Sequence, residues 1–341
     1  MIAIATYKFR VKDATTRARL NRLAGTVNYV WNYVNETSSR AWKRDHRWLT
    51  AYDMHPLTKG CGKELGLHSQ TVQKINEEHA ARRQQFKKTR LNWRSKKRSL
   101  GWIPFKASGI KLKDDYVVYC GQSFRLWMSR EVKGIIKEGS FNQDARGRWY
   151  VNLQCEVELE TPASSKPDVG VDLGLREQVA LSDGRCFSRA NITKQYEAKL
   201  AMAQRACKTK QARNIHARIA NCRKDWAHKT TTEIARTSRN IFVGNVSSKK
   251  LVKTKFAKSV HDAGWHQTKS LLAYKAIRLG GASKDVNESF STVTCSHCLK
   301  RTGPSGLSAL GVRSWVCREC GSEHDRNVNA ARNILMVGLG H

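Results

Sequence analysis

Cys295-Ser-His-Cys298 and Cys317-Arg-Glu-Cys320 are two C-x2-C pairs separated by eighteen residues. Each pair closes a tight turn that aims two sulfurs at one point, and the long loop brings the pairs together. The spacing predicts a tetrahedral zinc site with all four positions filled by thiolate, which makes it structural rather than catalytic. His297 and His324 stand nearby, but a fifth ligand is unnecessary. Cys61, Cys120, Cys155, Cys186, Cys207 and Cys222 are scattered, and read as small buried hydrophobes. Ten cysteines behind an N-terminus that lacks the signal-peptide pattern imply reduced thiols. The expected location is cytoplasmic (nucleoid-associated) in a prokaryote, or nuclear in a eukaryote.

Charge narrows the function class. Lys and Arg number 62 against 28 Asp and Glu, a formal net charge of +34 over 341 residues. Such an excess disfavours an ordinary metabolic enzyme and makes a large polyanion the natural partner. No apolar run approaches the ~20 residues needed to cross a bilayer, so no membrane partner is expected. The basic residues concentrate in three places. Between His79 and Lys113 there is no acid, while Arg82, Arg83, Lys87, Lys88, Arg90, Arg94, Lys96, Lys97 and Arg98 crowd one span. The second runs from Lys194 to Lys224, and the third holds Lys249, Lys250, Lys253, Lys255 and Lys258. Interleaved with Trp93, Trp226 and Trp265, these runs read as phosphate-contacting surfaces in which aromatic rings stack on unpaired bases. Trp31 and Trp42 fall among apolar helical positions and are expected in the core.

The periodicity organises the chain. Ile2 to Val11 alternates as a strand; Leu20, Leu23, Val27, Val30, Trp31 and Val34 form an apolar helical stripe of about four turns. A second helix begins near Ser69, the expected N-cap, and runs through Val72, Ile75 and Phe86. Strands are predicted at Ile110–Leu112, Tyr116–Tyr119, Phe124–Met128 and Trp149–Glu160. Thr161 to Pro167 is the best linker candidate, small, polar and bracketed by prolines. Beyond it, Val169 to Leu175 and Gln178 to Leu181 read as strands that turn at Ser182-Asp183-Gly184. Thr193 to Thr237 reads as a basic helix, Ile241 to Val243 as a strand and Val246 to Ser283 as a Lys-rich helix. This alternation predicts an α/β core after the linker.

Few carboxylates sit on apolar segments. Asp172 lies near a strand end in Gly170-Val-Asp-Leu-Gly174, and Asp325 follows the second cysteine pair in Asp325-Arg-Asn-Val-Asn-Ala-Ala-Arg-Asn-Ile334, where Val328, Ala331, Leu335 and Leu339 continue at helical spacing. Taken alone, each reads as a cap or a surface charge. The order GVDLG, basic helices, CxxC…CxxC and DRNVNAARNIL resembles the TnpB family of transposon-encoded RNA-guided nucleases, relatives of the type V CRISPR effectors and of the Fanzor proteins. Leu20 to Trp31, Leu67 to Phe86 and the helix ending Arg223-Lys-Asp-Trp-Ala-His-Lys229 extend the similarity over nearly the whole chain.

The resemblance implies an α/β RNase H-like (RuvC) nuclease domain with an inserted four-Cys zinc ribbon, preceded by a β-barrel (wedge) domain carrying a helical recognition insertion. The implied boundaries are residues 1–14 and 101–163 for the barrel, 15–100 for the insertion, 164–292 and 322–341 for the nuclease, and 293–321 for the zinc-binding target-nucleic-acid module. It further implies a guide RNA, a target DNA, and two Mg²⁺ ions held by hard carboxylate oxygens for phosphodiester hydrolysis. Asp172 would be the first carboxylate and Asp325 the third. Arg301, Arg313 and Arg318 are candidate phosphate contacts of the zinc module. The short chain leaves some recognition to the RNA or to a second copy in a homodimer.

One element departs from the family pattern. Many relatives place a glutamate just after the strand corresponding to Ile241–Val243, where this chain has Gly244-Asn-Val246. Glu288, seven residues before Cys295, is the expected replacement, carried by a strand through Ser289–Val293 lying beside the Asp172 strand; Asp285 is a weaker substitute. The competing expectation is a nuclease-dead RNA-guided DNA-binding protein, a repressor or targeting factor, in which Glu288 is a loop carboxylate. A third reading, a DNA-strand transferase, would need a second catalytic module and a nucleophilic Tyr motif or His pair, and none is evident in this sequence.

Overall fold

Ile2–Val11 forms one ten-residue strand (β1) whose inward residues Tyr7, Phe9 and Val11 are buried. The computed structural model describes residues 2–12, 14–159, 165–189, 191–245, 263–306 and 308–340. Its packing divides the chain into Ile2–Glu158 and Leu159–His341. In the first unit β1 pairs antiparallel with β7 (Trp149–Glu158) from Ile2↔Glu158 to Arg10↔Tyr150. The remaining strands are β2 (Trp102–Lys106), β3 (Ile110–Lys113), β4 (Tyr116–Tyr119), β5 (Gln122–Trp127) and β6 (Ile135–Gln143). The order β2-β6-β7-β1-β5-β4-β3 makes a nearly closed barrel. Phe105, Phe124 and Phe141 fill its interior, Phe141 lying 5.5 Å from Phe105 and 5.2 Å from Phe124. Each such fully buried side chain contributes about 2 kcal/mol.

Between β1 and β2 the chain runs through helices. The apolar stripe of Leu20, Val27, Val30, Trp31 and Val34 is buried, and the helix that carries it, α1 (Ala14–Asp45), extends beyond it at both ends to 32 residues, about nine turns. Two short helices follow that periodicity did not flag: α2 (Ala51–Thr58), opened by a Thr50–Asp53 capping box, and α3 (Cys61–Leu65). Helix α4 (Ser69–Phe86) is capped by His68 and not by Ser69, because the His68 ring accepts from the Gln70 amide at 3.3 Å.

Of the expected linker, residues 161–164 lie outside the described residues; 165–167 carry no helix or strand. The second unit is built on β8 (Val169–Asp172), β9 (Val179–Leu181), β10 (Cys186–Phe187), β11 (Asn240–Gly244) and β12 (Ala282–Val286), in the order β10-β9-β8-β11-β12. The first three strands form an antiparallel meander, and β8, β11 and β12 run parallel. The helices are α5 (Ile192–Arg205), α6 (Thr209–Thr237), α7 (Trp265–Arg278) and α8 (Arg326–Leu339). A two-stranded ribbon, β13 (Ser314–Val316) with β14 (Glu323–Asp325), precedes α8.

Three expectations are corrected here. The helix predicted over Thr193–Thr237 is two helices broken at Cys207, whose φ of 50° is left-handed. The strand predicted over Ser289–Val293 is absent: the strand is Ala282–Val286, it pairs with β11 rather than beside β8, and Phe290 at φ 65° turns the chain where the strand was expected. Ser283 therefore belongs to a strand and not to a Lys-rich helix, of which residues 246–262 lie outside the described residues. Helix α8 packs so closely on β8 that a Cβ on Gly170 would stand 2.0 Å from the Ala331 carbonyl oxygen.

Candidate functional site

Parallel strands bring their C-terminal ends to one edge of a sheet, where open α/β folds place ligands. Asp172 ends β8 and Gly244 ends β11; Val171 is paired with Val243, so the two follow side by side. The chain leaving β12 folds back over this edge. Asn245 donates its amide to the Val286 carbonyl at 2.9 Å, and its side-chain oxygen accepts from the Glu288 amide at 3.4 Å. This delivers the Glu288 carboxylate over Gly244: a Cβ there would lie 2.3 Å from Glu288 Oε2. Asp325 arrives from β14 and caps α8, its Oδ1 accepting from the Asn327 and Val328 amides at 2.9 Å each. Asp285 is turned to another task, an ion pair with Lys269 at 3.2 Å.

The electrostatics join these groups. Burial pushes the Asp172 carboxyl up to about 7, reinforced by Glu288, opposed by Arg326, and raised further by Asp325 and Glu177. Asp172, Glu288 and Asp325 therefore share one neighbourhood, despite the misplaced strand expected for Glu288. Glu177 is an addition that spacing did not single out. Its Oε2 accepts from Asn327 Nδ2 at 2.8 Å, tying the loop after β8 to the residue two places beyond Asp325. Its one sequence signal was lying five residues after Asp172 in the same segment. Cys186, on an exposed edge strand, faces the same carboxylates; partial desolvation of its sulfur, then Glu177, pushes its thiol up to about 11. Converging carboxylates whose charges oppose one another are a donor set that suits a hard divalent cation. Among the described residues these oxygens are not as tightly drawn together as the four cysteine sulfurs.

Cys295, Cys298, Cys317 and Cys320 place their sulfurs within 4.8 Å of one another, a fit for one tetrahedral zinc. Hydrogen bonding to Ser322 pushes the Cys320 thiol down to about 5, toward the thiolate that a metal needs. His324 is buried with Nε2 3.0 Å from Cys295 Sγ, beside rather than within the four-sulfur set. The DRNVNAARN segment gains a physical meaning. Asn329 and Asn333, one turn apart on α8, each donate Nδ2 to the Ser291 and Thr294 carbonyls at 2.7–3.2 Å, and Asn329 Oδ1 accepts from the Ser296 amide. One helix thus clamps the chain between Glu288 and the first zinc knuckle while its own N-cap is Asp325.

The basic candidates divide. Arg82, Lys87, Lys88, Arg90, Lys96, Lys97 and Arg98 are exposed. Arg83 is not: it is 2% exposed, donates to the Leu49 carbonyl and lies over the Trp48 ring, because α4 turns that face inward. Arg94 is likewise engaged internally, with Asn28 and the Leu100 carbonyl. Lys249 and Lys250, with the rest of the third run, lie outside the described residues. Trp265 is buried and donates to the Gly174 carbonyl, so it stacks on no base; Trp226 packs against the sheet core. Trp31 is buried as expected, and Trp42 is half-buried against Trp48. Arg301 lies over the Phe290 ring, Arg313 has a buried Nε and Arg318 is exposed. Of the scattered cysteines, Cys186 and Cys207 are exposed rather than buried, one on a two-residue edge strand and one in the helix break.

Two family models match. Residues 152–255 fit OrfB_IS605, described as a probable transposase, and residues 265–334 fit the Cas12f1-like TNB domain. A Streptomyces pristinaespiralis protein named as an RNA-guided DNA endonuclease is 27% identical over 98% of this chain and 88% of its own length. InsQ of Escherichia coli K12, named in the same way, is 29% identical over 62% of this chain and 60% of its own. A Cas12f1 chain solved with sgRNA and target DNA superposes with a TM-score of 0.64 at 11% identity, covering 98% of both chains. Fold and site define a β-barrel unit with inserted helices followed by an α/β unit that carries a four-Cys ribbon. By these matches the chain is similar to the TnpB family and to its Cas12f1 relatives.

Proposed function

We propose that the protein is an RNA-guided DNA endonuclease whose second unit is an RNase H-like (RuvC) nuclease domain. The observation that carries this is the placement of Glu288: its carboxylate fills the space beside Gly244, at the strand end where the resemblance to the TnpB family implies a glutamate. The family relatives named as RNA-guided DNA endonucleases support the same reading. Asp172, Glu288 and Asp325 would hold Mg²⁺, which supplies the Lewis acidity that activates water and stabilises a leaving oxygen in phosphodiester hydrolysis. Asp325 is held rigid by two α8 amides, so its approach to the cleft is fixed before substrate arrives. Arg326 offers a positive charge beside Asp172. Cys295, Cys298, Cys317 and Cys320 would hold zinc, and the exposed Arg and Lys residues would carry guide RNA and target DNA through phosphate contacts. Sequence choice would come from pairing to the guide, with the protein reading only a short adjacent motif.

The test uses the complex purified with RNA from its native locus, incubated with Mg²⁺ and plasmids carrying the matching target beside randomised flanks. Linear product that depends on Mg²⁺ and on the matched target is expected. Retention of matched DNA without any cutting would assign the guided-binder alternative.

A further inference from the structure

The first unit contains a groove of about 1430 Å³ between the end of α4, residues 88–100 and the ends of β2 and β6. Residues 88–95 cross it without helix or strand, yet they are firmly strapped to α1. Asn35 exchanges two hydrogen bonds with the Leu91 backbone and Asn32 two with that of Arg94, at 2.8–2.9 Å. Arg94 itself lies beside the edge-to-face pair of Trp31 and Trp102, 5.9 and 5.4 Å from their ring centroids. Fixing Leu91 and Arg94 inward sets what lies between them. Trp93 lines the groove with half of its surface exposed, and the Arg90 guanidinium stands 5.2 Å from its ring, steadied by Glu36 at 3.2 Å. Phe86, 55% exposed, lines the same groove with Lys88 and Arg98.

A half-exposed indole on a pinned backbone, with a guanidinium against its ring in a cationic groove, matches the way proteins take unpaired bases, stacked on aromatic and Arg planes. We propose that this groove binds an unpaired nucleotide of the guide RNA, its base on Trp93 and its phosphates facing Lys88, Arg90 and Arg98. The Asn92 amide on the lining carries a donor and an acceptor, and Asn142, whose Oδ1 already accepts from Ser140 and Asn152, adds a donor; together they complement a ribose 2′-hydroxyl, which favours RNA over a displaced DNA strand. This rests on the RNA-guided reading above.

The test uses the full chain with a 12-mer oligouridylate carrying 4-thiouridine, and a matching thymidylate 12-mer carrying 4-thiothymidine. Irradiation is expected to crosslink the uridylate to the peptide bearing Trp93. Trp93→Ala should weaken uridylate binding roughly tenfold with an unchanged salt slope, because stacking releases no counterions. Lys88→Ala should instead flatten the slope by about 0.7. Trp93→Phe, which keeps a ring, should retain most of the affinity, separating stacking from a folding defect. Crosslinks confined to other peptides, or wild-type affinity in Trp93→Ala, overturn the proposal; tighter capture of the thymidylate at Trp93 overturns it in favour of a DNA strand. Failure to bind RNA at all overturns both this proposal and the guided reading, whereas an intact Trp93 crosslink in a protein that never cuts contradicts the endonuclease reading alone.

Discussion

Glu288 Oε2 lies 2.3 Å from where a Cβ on Gly244 would be, so the two residues share one volume at the end of β11. The carboxylate enters from the chain after β12 and not from β11 itself. A methyl group at position 244 would displace the carboxylate from where it stands, and the Ile334 Cδ1 at 3.0 Å lies on the other side.

Gly244→Ala is therefore expected to push the Glu288 carboxylate aside. A displacement of about 1 Å in a catalytic group costs on the order of 10²-fold in rate, so cleavage should fall by that order while target DNA retention is unchanged. The double variant Gly244→Glu/Glu288→Ala supplies the carboxylate from β11 and should recover part of the cutting lost by Glu288→Ala alone. Plasmid cleavage time courses measure both; a Gly244→Ala protein that cuts at the wild-type rate contradicts the shared-volume account.

Zinc should matter for cutting as well as for binding. Asp325 is the last residue of β14, paired with Ser314, and the adjoining Arg326 amide donates to the Arg313 carbonyl. Structural zinc contributes folding free energy directly. Cys320→Ser should lower zinc content, raise amide exchange over residues 314–325 and reduce cleavage about 10²-fold. Full cleavage by zinc-free protein would separate Asp325 from the ribbon.

The Asn329 and Asn333 clamp gives a stability test. Asn329→Ala removes two donors to the Ser291 and Thr294 carbonyls and strands the Ser296 amide. A lost buried hydrogen-bond partner costs about 1–3 kcal/mol. Thermal unfolding should show a lower Tm, with Asn333→Ala acting in the same direction and the double variant more than additive, because only it leaves the shared Ser291 and Thr294 carbonyls without a side-chain donor.

Asp172 sets a pH dependence. Its carboxyl ionises near about 7 in the metal-free fold and near about 3.9 when unfolded. The native state holds the extra proton between these values, so this contribution to stability is present below the unfolded value and lost as pH rises through the folded one. Asp172→Asn should abolish cutting, yet melt a few degrees above the metal-free wild type at pH about 8 and close to it at pH about 4. Mg²⁺ should raise the wild-type Tm at the higher pH and leave the variant unmoved. Identical pH profiles without metal would contradict the shared carboxylate neighbourhood.

Features written as spacing were legible before the structure: the alternation of β1, the α1 stripe, the two cysteine pairs and the amphipathic α8. Strand β12 was not, because Ser283-Lys-Asp285 is polar and largely exposed at the sheet edge, so no apolar alternation announces it. Glu288 was assigned through a strand that does not exist; a turn at Phe290 and the Asn245 side chain do that work instead. Arg83 shows the limit of counting charges, since a basic run says nothing about which face of α4 each residue occupies. Glu177 had no local pattern, and its link to Asn327 joins positions 150 residues apart.

The most direct test of the central claim is Mg²⁺-dependent cleavage of matched plasmid by the RNA-loaded complex, wild type against Glu288→Gln, with DNA retention scored in the same samples. The amide keeps the size and removes the charge, so cutting should be lost while retention stays at the wild-type level. A Glu288→Gln complex that cuts as fast as the wild type would contradict the assignment of Glu288 to the active centre.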